Sequence, residues 1–265
     1  MKIMTKIQGR FIELYEFRYM LHSLIGKSLF GKYKNSVLGF LWNFITPLIS
    51  VLLFYIVFEN FSGQSIPYFW AYLCVGMFPV NYMTSNMIGG ASCITSNGAL
   101  IKKMYFPTEI LPLSQALYTL IVFIIPYLIV VTLMAITGFP LKIDGLLAFP
   151  LVMLTMFVFS LGTILFTSAI SAYSRDFEYL ITALARILFW VTPIVYTIDS
   201  ISGILSTIIW LNPMTYYVVS FQEIIYNGVM PGVGIMASCA VLAVGTLIIG
   251  TYVFNRLKDG FAERI

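Results

Sequence analysis

The sequence has 265 residues, of which 60% are hydrophobic and only 10% are charged, and its mean hydropathy is +0.93. Soluble domains carry about 25% charged residues, so this composition excludes a water-soluble protein and indicates an integral membrane protein. The net charge of +4 is small and scattered along the chain, which argues against a nucleic-acid-binding protein.

The cysteines and the histidine give no sign of a metal or redox site. Cys74, Cys93 and Cys239 fall in or beside apolar stretches and have no paired spacing, so we interpret them as small buried hydrophobic residues. His22 is the only histidine, which excludes a site built from several histidines. We therefore predict neither a bound metal nor a catalytic centre.

The first predicted element is a helix that lies in the membrane interface. Residues 7–30 interleave apolar side chains with Arg10, Glu13, Arg18 and Lys27, a pattern typical of a helix lying along the bilayer surface. Charges this close together also argue against a cleavable signal peptide. We predict two parts of the chain, an interfacial helix within 1–36 and a transmembrane domain over 37–265.

Six stretches in the second part reach the roughly 20 apolar residues that a transmembrane helix needs. They are 37–58, 69–91, 108–137, 146–172, 178–198 and 233–255. The predicted loops place all of the fifteen Lys and Arg residues except Lys142 and Arg186 on one side. By the positive-inside rule that side is the cytoplasm, so we expect an inner-membrane protein with both termini cytoplasmic.

The stretch between the fifth and sixth spans is apolar but interrupted. Gly203, Asn212, Pro213 and Gly228 break residues 199–231 into halves too short to span. Irregular backbone at membrane depth survives only where protein or a water-filled cavity shields it, so we predict a re-entrant or interfacial helical hairpin on the outer side. The predicted fold is all-α, with six transmembrane helices, an N-terminal interfacial amphipathic helix and this hairpin.

Gly26, Lys27 and Ser28 match the end of a phosphate-binding loop. That loop also needs a glycine five residues earlier, but Leu21 stands there, within a predicted amphipathic helix. We predict no nucleotide site and no cofactor on this chain, so any ATP hydrolysis would belong to another polypeptide.

Six short motifs occur in order along nearly the whole chain. The first, basic-Tyr-basic-x-Ser-x-x-Gly-x-x-Trp at 32–42, would on its own fit an ordinary span with basic and aromatic flanks that meet lipid phosphates. The others are Lys-x-x-Phe-Pro-x-Glu-x-x-Pro at 103–112, an Arg-Asp turn at 174–179, and the segments 192–196, 211–213 and 261–263. Together they resemble the ABC-2 membrane subunits that export O-antigens, capsules and teichoic acids.

The resemblance implies a homodimer around a conduit, with two separate ATPase subunits that bind ATP and Mg²⁺. It implies a lipid-pyrophosphate-linked glycan as substrate. The main coupling helix would lie in the 92–107 loop, and the turn after the fourth span would form a second contact. The implied coupling residues are Lys102, Lys103, Tyr105, Phe106, Pro107, Arg175, Asp176 and Glu178.

The resemblance also implies where the substrate passes. The N-terminal helix would shape the entrance, and the 199–231 hairpin would form the outer gate. The entrance residues would be Lys32, Tyr33, Lys34 and Trp42, and the gate residues Tyr196, Asn212 and Pro213. ATP-driven closure of the ATPase subunits would move the coupling loop and open a conduit between the first and fifth spans of the two copies.

Arg186 is the main candidate inside that conduit. It lies about eight residues into the fifth span, roughly 12 Å deep at 1.5 Å per residue, and no acidic residue is predicted at similar depth. Two readings stay open, because the side chain can extend to the inner surface or face a water-filled lumen and bind phosphate or hydroxyls. Nearby aromatics that either stack on sugar rings or contact lipid include Tyr55, Phe189 and Trp190.

Two other functions fit parts of the sequence. An ABC-2 permease for a drug or small lipid would share the architecture. A membrane-embedded transferase acting on lipid-linked sugars would need clustered histidine or acidic residues. Glu59, Asp144, Asp199 and Glu223 are too dispersed for that, so we predict a transporter subunit and not an enzyme.

Overall fold

The computed structural model describes residues 15–31, 36–61, 66–142 and 144–264. Within these ranges every regular element is helical, which confirms the predicted all-α class. The helices are α1 Arg18–Gly31, α2 Trp42–Phe61, α3 Phe69–Cys93, α4 Gly98–Lys103, α5 Ile110–Ile136, α6 Phe149–Ser171, α7 Arg175–Val191, α8 Ile204–Leu211, α9 Pro213–Phe221, α10 Val233–Leu257 and α11 Phe261–Arg264.

Four helical stretches of the described chain have the length and composition to cross a membrane, namely Trp42–Glu59, Ile110–Ile136, Asp144–Ser171 and Val233–Arg264. Helix α8 and the stretch Pro213–Asn227 meet at 88° and would together make a fifth. The chain is therefore a multi-pass membrane protein. The six-span count and the re-entrant hairpin stay predictions, because the bent pair also has the length of one broken span.

The predicted second and fifth spans, α3 and α7, are not among these four. Helix α7 is 17 residues long and carries Arg186 and three charges in its first turn. Helix α3 has polar residues such as Asn86, but most of its side chains are buried against neighbouring helices. A helix surrounded by protein needs few apolar side chains toward lipid, which explains its lower hydropathy.

Helices α6 and α10 approach each other closely. A Cβ atom added to Gly250 would lie 2.1 Å from the carbonyl oxygen of Gly162, and one added to Gly162 would lie 2.5 Å from the nitrogen of Leu247. The two backbones therefore touch. Small residues at such a contact are the usual basis of helix packing in membranes, where lipid removes the hydrophobic drive.

Helix α1 packs against the start of the bundle. Its half-buried side chains Met20, Leu21 and Leu24 lie against a cluster that includes Leu111. The predicted N-terminal helix is thus observed over Arg18–Gly31, with the Gly26–Ser28 triplet inside it. Residues 1–14 lie outside the described part, and the interfacial position stays a prediction.

The bundle has two contrasting ends. We call the end that carries α4, the α6–α7 turn and segment 258–264 the basic end, because Lys102, Arg175 and Arg264 line one cavity there. We call the end that carries the α8–α9 bend the opposite end.

Candidate functional site

The predicted coupling loop forms one exposed corner of the basic end. Lys102 and Lys103 are exposed at the last turn of α4, where positive charge is favourable beside the carbonyl end of a helix. Tyr105 is 90% exposed, whereas Phe106 is only 5% exposed and packs in the core at this end. Pro107 is half-buried. Phe106 thus anchors the loop, and the exposed residues are those that a partner could touch.

The second predicted contact lies beside the first. Arg175 begins α7, and Asp176 and Glu178 lie in its first turn, where negative charge is favourable. Arg175 and Lys102 line the same cavity of about 430 Å³. The structure therefore brings together two segments that are more than seventy residues apart in the sequence. Their role in coupling stays a prediction.

Of the predicted entrance, only Trp42 can be described, because Lys32, Tyr33 and Lys34 lie outside the described residues. The Trp42 indole nitrogen donates a hydrogen bond to the Ser36 hydroxyl at 3.1 Å. Trp42 and Asn43 also line a cavity of about 290 Å³ between α2, α3 and α5, together with polar residues of α3 and α5.

Aromatic side chains join α2 and α7, the predicted first and fifth spans. The rings of Phe189 and Trp190 lie 6.2 Å and 5.9 Å from that of Phe54, centroid to centroid. Tyr55 does not join this group. Its hydroxyl donates to the Glu59 carboxylate and its ring packs 6.3 Å from another neighbour, Phe69. Lining of a conduit by these residues stays a prediction.

Arg186 lies on the exposed face of α7, with Ile187 and Trp190. The ion pair found among the described residues joins Lys258 to Glu109. No described carboxylate therefore lies within 4 Å of the Arg186 guanidinium. The part of the chain that the structure describes thus offers this charge no ion-pair partner.

The predicted gate residues lie in a hydrogen-bond network at the opposite end, where Asn212 is buried and Tyr196 and Pro213 are half-buried. Asn212 is 3% exposed, and its amide nitrogen donates to the carbonyl of Leu188 and to the hydroxyl of Thr192, each at 2.9 Å. Its side-chain oxygen accepts from the backbone nitrogen of Met214 at 3.0 Å. Asn212 thus caps α9, with Pro213 at the first helical position, and ties the bend to the end of α7.

Two further side chains, missed in the sequence, fix the segment after α7. The Tyr72 hydroxyl of α3 donates to the carbonyl of Tyr196 at 2.9 Å. The Gln222 amide donates to the carbonyl of Pro193 at 2.9 Å. No spacing rule links these partners, because Tyr72 lies 124 residues before Tyr196. A gating role for this hydrogen-bond network stays a prediction.

The sequence also missed a contact at the basic end. Lys258 donates to a carboxylate oxygen of Glu109 at 2.8 Å, and both side chains are 24% exposed. Glu109 belongs to the coupling-loop motif and Lys258 lies near the 261–263 motif. Both residues lie in or near motifs that carry the family resemblance, but nothing in the sequence indicated that the two contact each other.

Comparison with known proteins identifies the family. The family described as ABC-2 type transporter matches residues 20–226. The chain belongs to this ABC-2 transporter family. It is 30% identical over 256 residues, 96% of this chain and 98% of the relative, to the O-antigen export system permease protein RfbA of Myxococcus xanthus. Two proteins of that name from Klebsiella pneumoniae are 27% and 26% identical over 94% of the chain.

Membership of the ABC-2 family makes this chain a transporter subunit rather than an enzyme, as the sequence predicted. The family match runs from α1 to the end of the α9 region and includes both segments of the basic end that carry the predicted coupling residues. The resemblance stated from motifs alone is thereby confirmed.

Proposed function

We propose that this chain is the permease subunit of an ATP-driven exporter that moves a lipid-linked polysaccharide of the O-antigen type across the cytoplasmic membrane. The observation that carries this proposal is the similarity to O-antigen export permeases over nearly the full length of both chains. All three relatives are named for O-antigen export, and none is named for a drug or a small lipid. The basic end faces the cytoplasm in this proposal, in accordance with the positive-inside rule.

The proposed assembly contains two copies of the chain and two ATPase subunits that hold ATP and Mg²⁺. Support for the ATPase contact comes from the basic end, where exposed Lys102 and Arg175 line one cavity and exposed Tyr105 follows Lys102 in the same loop. ATP binding would draw the ATPase subunits together and move α4 and the start of α7 as one unit. That motion would reach the conduit directly, because α7 itself carries Phe189 and Trp190.

Support for the dimer comes from Arg186. A charged side chain facing lipid at the helix centre costs at least roughly 2.5–3.5 kcal/mol, and Arg186 is exposed in the single chain. A second copy placed against α2 and α7 would enclose that face in a hydrated conduit. The guanidinium, which stays charged and has five donors, could then bind phosphate or paired hydroxyls of the substrate.

The test of the whole proposal is deletion and complementation in the native host. Loss of the gene should leave lipid-linked glycan inside the cell and remove the polymer from the surface, and the wild-type gene should restore it. The purified chain should hydrolyse no ATP until the co-expressed ATPase is added. Normal surface glycan in the deletion strain would overturn the proposal.

The test of the conduit uses two variants at Arg186. Arg186→Met should fold, because it removes a desolvation cost, yet slow export of a pyrophosphate-linked glycan, and Arg186→Lys should be intermediate. Export is measured at matched membrane levels. Unimpaired export by Arg186→Met would show that this side chain extends to the membrane surface and does not meet the substrate.

A further inference from the structure

Segment 258–264, which we call the tail, is packed firmly onto the basic end. The Phe261 side chain is fully buried, with its ring 5.4 Å from that of Phe254 and 6.3 Å from that of Tyr173. The Tyr173 hydroxyl donates to the carbonyl of Leu257 at 2.9 Å. A Cβ on Gly260 would lie 2.2 Å from that same hydroxyl oxygen, so glycine allows this close approach without a movement of the Tyr173 side chain. The tail therefore has a fixed position against the α6–α7 turn.

The tail is also tied to the coupling loop. The Lys258–Glu109 ion pair joins it to the residue that precedes α5, directly after the loop. Helix α11 in addition contacts α4. One short segment thus touches both elements that are proposed to meet the ATPase.

This placement completes a cluster of positive charge. The cavity of about 430 Å³ is lined by Lys102 from α4, Arg175 from α7 and Arg264 from the tail. Among the described residues no carboxylate lines it. The Arg264 guanidinium lies 5.6 Å from the centre of the Tyr173 ring, a distance at which a cation and an aromatic ring attract each other. The three cations are exposed to solvent, which screens their mutual repulsion, and an acidic group of a partner placed in the cavity would be attracted by all three.

We propose that Arg264 makes the tail a third docking element, and that Lys102, Arg175 and Arg264 form a basic socket for a carboxylate side chain of the ATPase subunit. The inference rests on the proposed function and adds the chemistry of the contact. It assigns a role to the 261–263 motif, to which the sequence reading gave none. The Phe261 ring anchors the tail, and the neighbouring Arg264 presents the charge.

The lining favours a protein carboxylate over a lipid headgroup. Besides Tyr173 and the cations, the cavity is lined by small or hydroxyl side chains, namely Thr95, Gly98, Ala99, Ser171, Ala172 and Ser174. No large aliphatic side chain is present there to take an acyl chain. The socket also shares Lys102 with the exposed loop that carries Tyr105, the surface that the proposed function gives to the ATPase.

The experiment measures binding of the purified ATPase to the chain in nanodiscs, for the wild type and for Lys102→Glu, Arg175→Glu and Arg264→Glu. Each reversal should weaken binding about tenfold or more, because a charge pair is replaced by a repulsion. Pairs of reversals should weaken it by less than the product of the single effects, since they act on one shared partner. Replacing the matching ATPase acid by Lys should restore binding to Arg264→Glu.

The matched control is Arg256→Glu, an exposed cation in the last turn of α10 that does not line the socket. It should change ATPase affinity less than about twofold. Thermal unfolding of each purified variant checks that the bundle is intact. If Arg264→Glu binds the ATPase as Arg256→Glu does, the tail is not a docking element and the inference is wrong.

Two other results would also be decisive. If Arg264→Glu keeps ATPase affinity but loses copurified phosphatidylglycerol in native mass spectrometry, the socket holds a lipid phosphate and the inference is overturned. If the wild-type chain does not bind the ATPase at all, the proposed function fails, and the inference fails with it. Wild-type binding with an unaffected Arg264→Glu variant overturns the inference alone.

Discussion

The two ends of the bundle differ in how their polar and charged groups are satisfied. At the opposite end, Asn212, Tyr72 and Gln222 satisfy backbone carbonyls through buried, neutral hydrogen bonds. At the basic end, Lys102 and Arg264 are exposed, and the surrounding segments are held by aromatic packing, the Tyr173–Leu257 hydrogen bond and an ion pair. Buried polar groups must find partners within the protein, whereas an end that meets another subunit can leave charges unmet until assembly. This difference agrees with the proposed function, in which the basic end meets the ATPase and the opposite end forms the gate.

The largest expected effect comes from removing the anchor of the basic end. Phe261→Ala should lower the free energy of unfolding by about 3–5 kcal/mol, because it empties a fully buried aromatic position. Thermal unfolding in detergent measures the loss. Glu263→Ala, an exposed change in the same helix, is the control. Equal unfolding temperatures for the two variants would mean that the tail is not part of the folded end.

A smaller effect should come from breaking the hydrogen-bond network at the opposite end. Asn212→Ala removes three hydrogen bonds with buried groups and should destabilise the fold by about 2–3 kcal/mol. Binding of the ATPase at the basic end should be unchanged, which separates the two ends. Ser200→Ala, an exposed hydroxyl bonded only within its own turn, serves as the reference. A loss of ATPase binding in Asn212→Ala would contradict the separation.

The contact between α6 and α10 should respond to a single methyl group. Gly250→Ala places a Cβ against the Gly162 carbonyl and should cost about 1–3 kcal/mol by overpacking. Gly245→Ala lies on the same helix with open space around it, so it should be neutral or slightly stabilising. Unfolding temperatures of the two variants, compared side by side, test the backbone contact. Similar values would mean that the helices are not that close.

The smallest effect is expected at the Lys258–Glu109 pair. Both side chains are 24% exposed, so their interaction should contribute at most about 1 kcal/mol and fall as salt is added. A double-mutant cycle with Lys258→Met and Glu109→Gln measures it. A coupling energy that is unchanged between low and high salt would argue against an ionic contact.

Local features of the sequence predicted much of this structure. Apolar length was enough to predict the helices that became α2, α5, α6 and α10, and the family resemblance implied a helix within the 92–107 loop, where α4 lies. The role of Phe106 was less accessible, because the sequence does not tell a buried aromatic from an exposed one within a loop. Tyr105 and Phe106 are adjacent in the chain but differ from 90% to 5% exposure.

Contacts between distant segments could not be predicted. Asn212 was recognised as an interruption, but its partners on Leu188 and Thr192 depend on how the chain returns after the 88° bend. The burial of α3 could not be predicted either, because it depends on which helices pack around it. Residue patterns specify helices locally, whereas the site is formed by tertiary packing.

The glycine contact has a mechanical consequence. Helix α6 has 23 residues and is therefore roughly 34 Å long, and around Gly162 and Gly250 its backbone lies directly against that of α10. Side chains that change rotamer can absorb a small displacement, but two touching backbones have almost no such slack. A displacement of one end of this helix pair should therefore move the other end by nearly the same distance. Under the proposed function, the pair would transmit a movement of the basic end to the opposite end as a rigid unit.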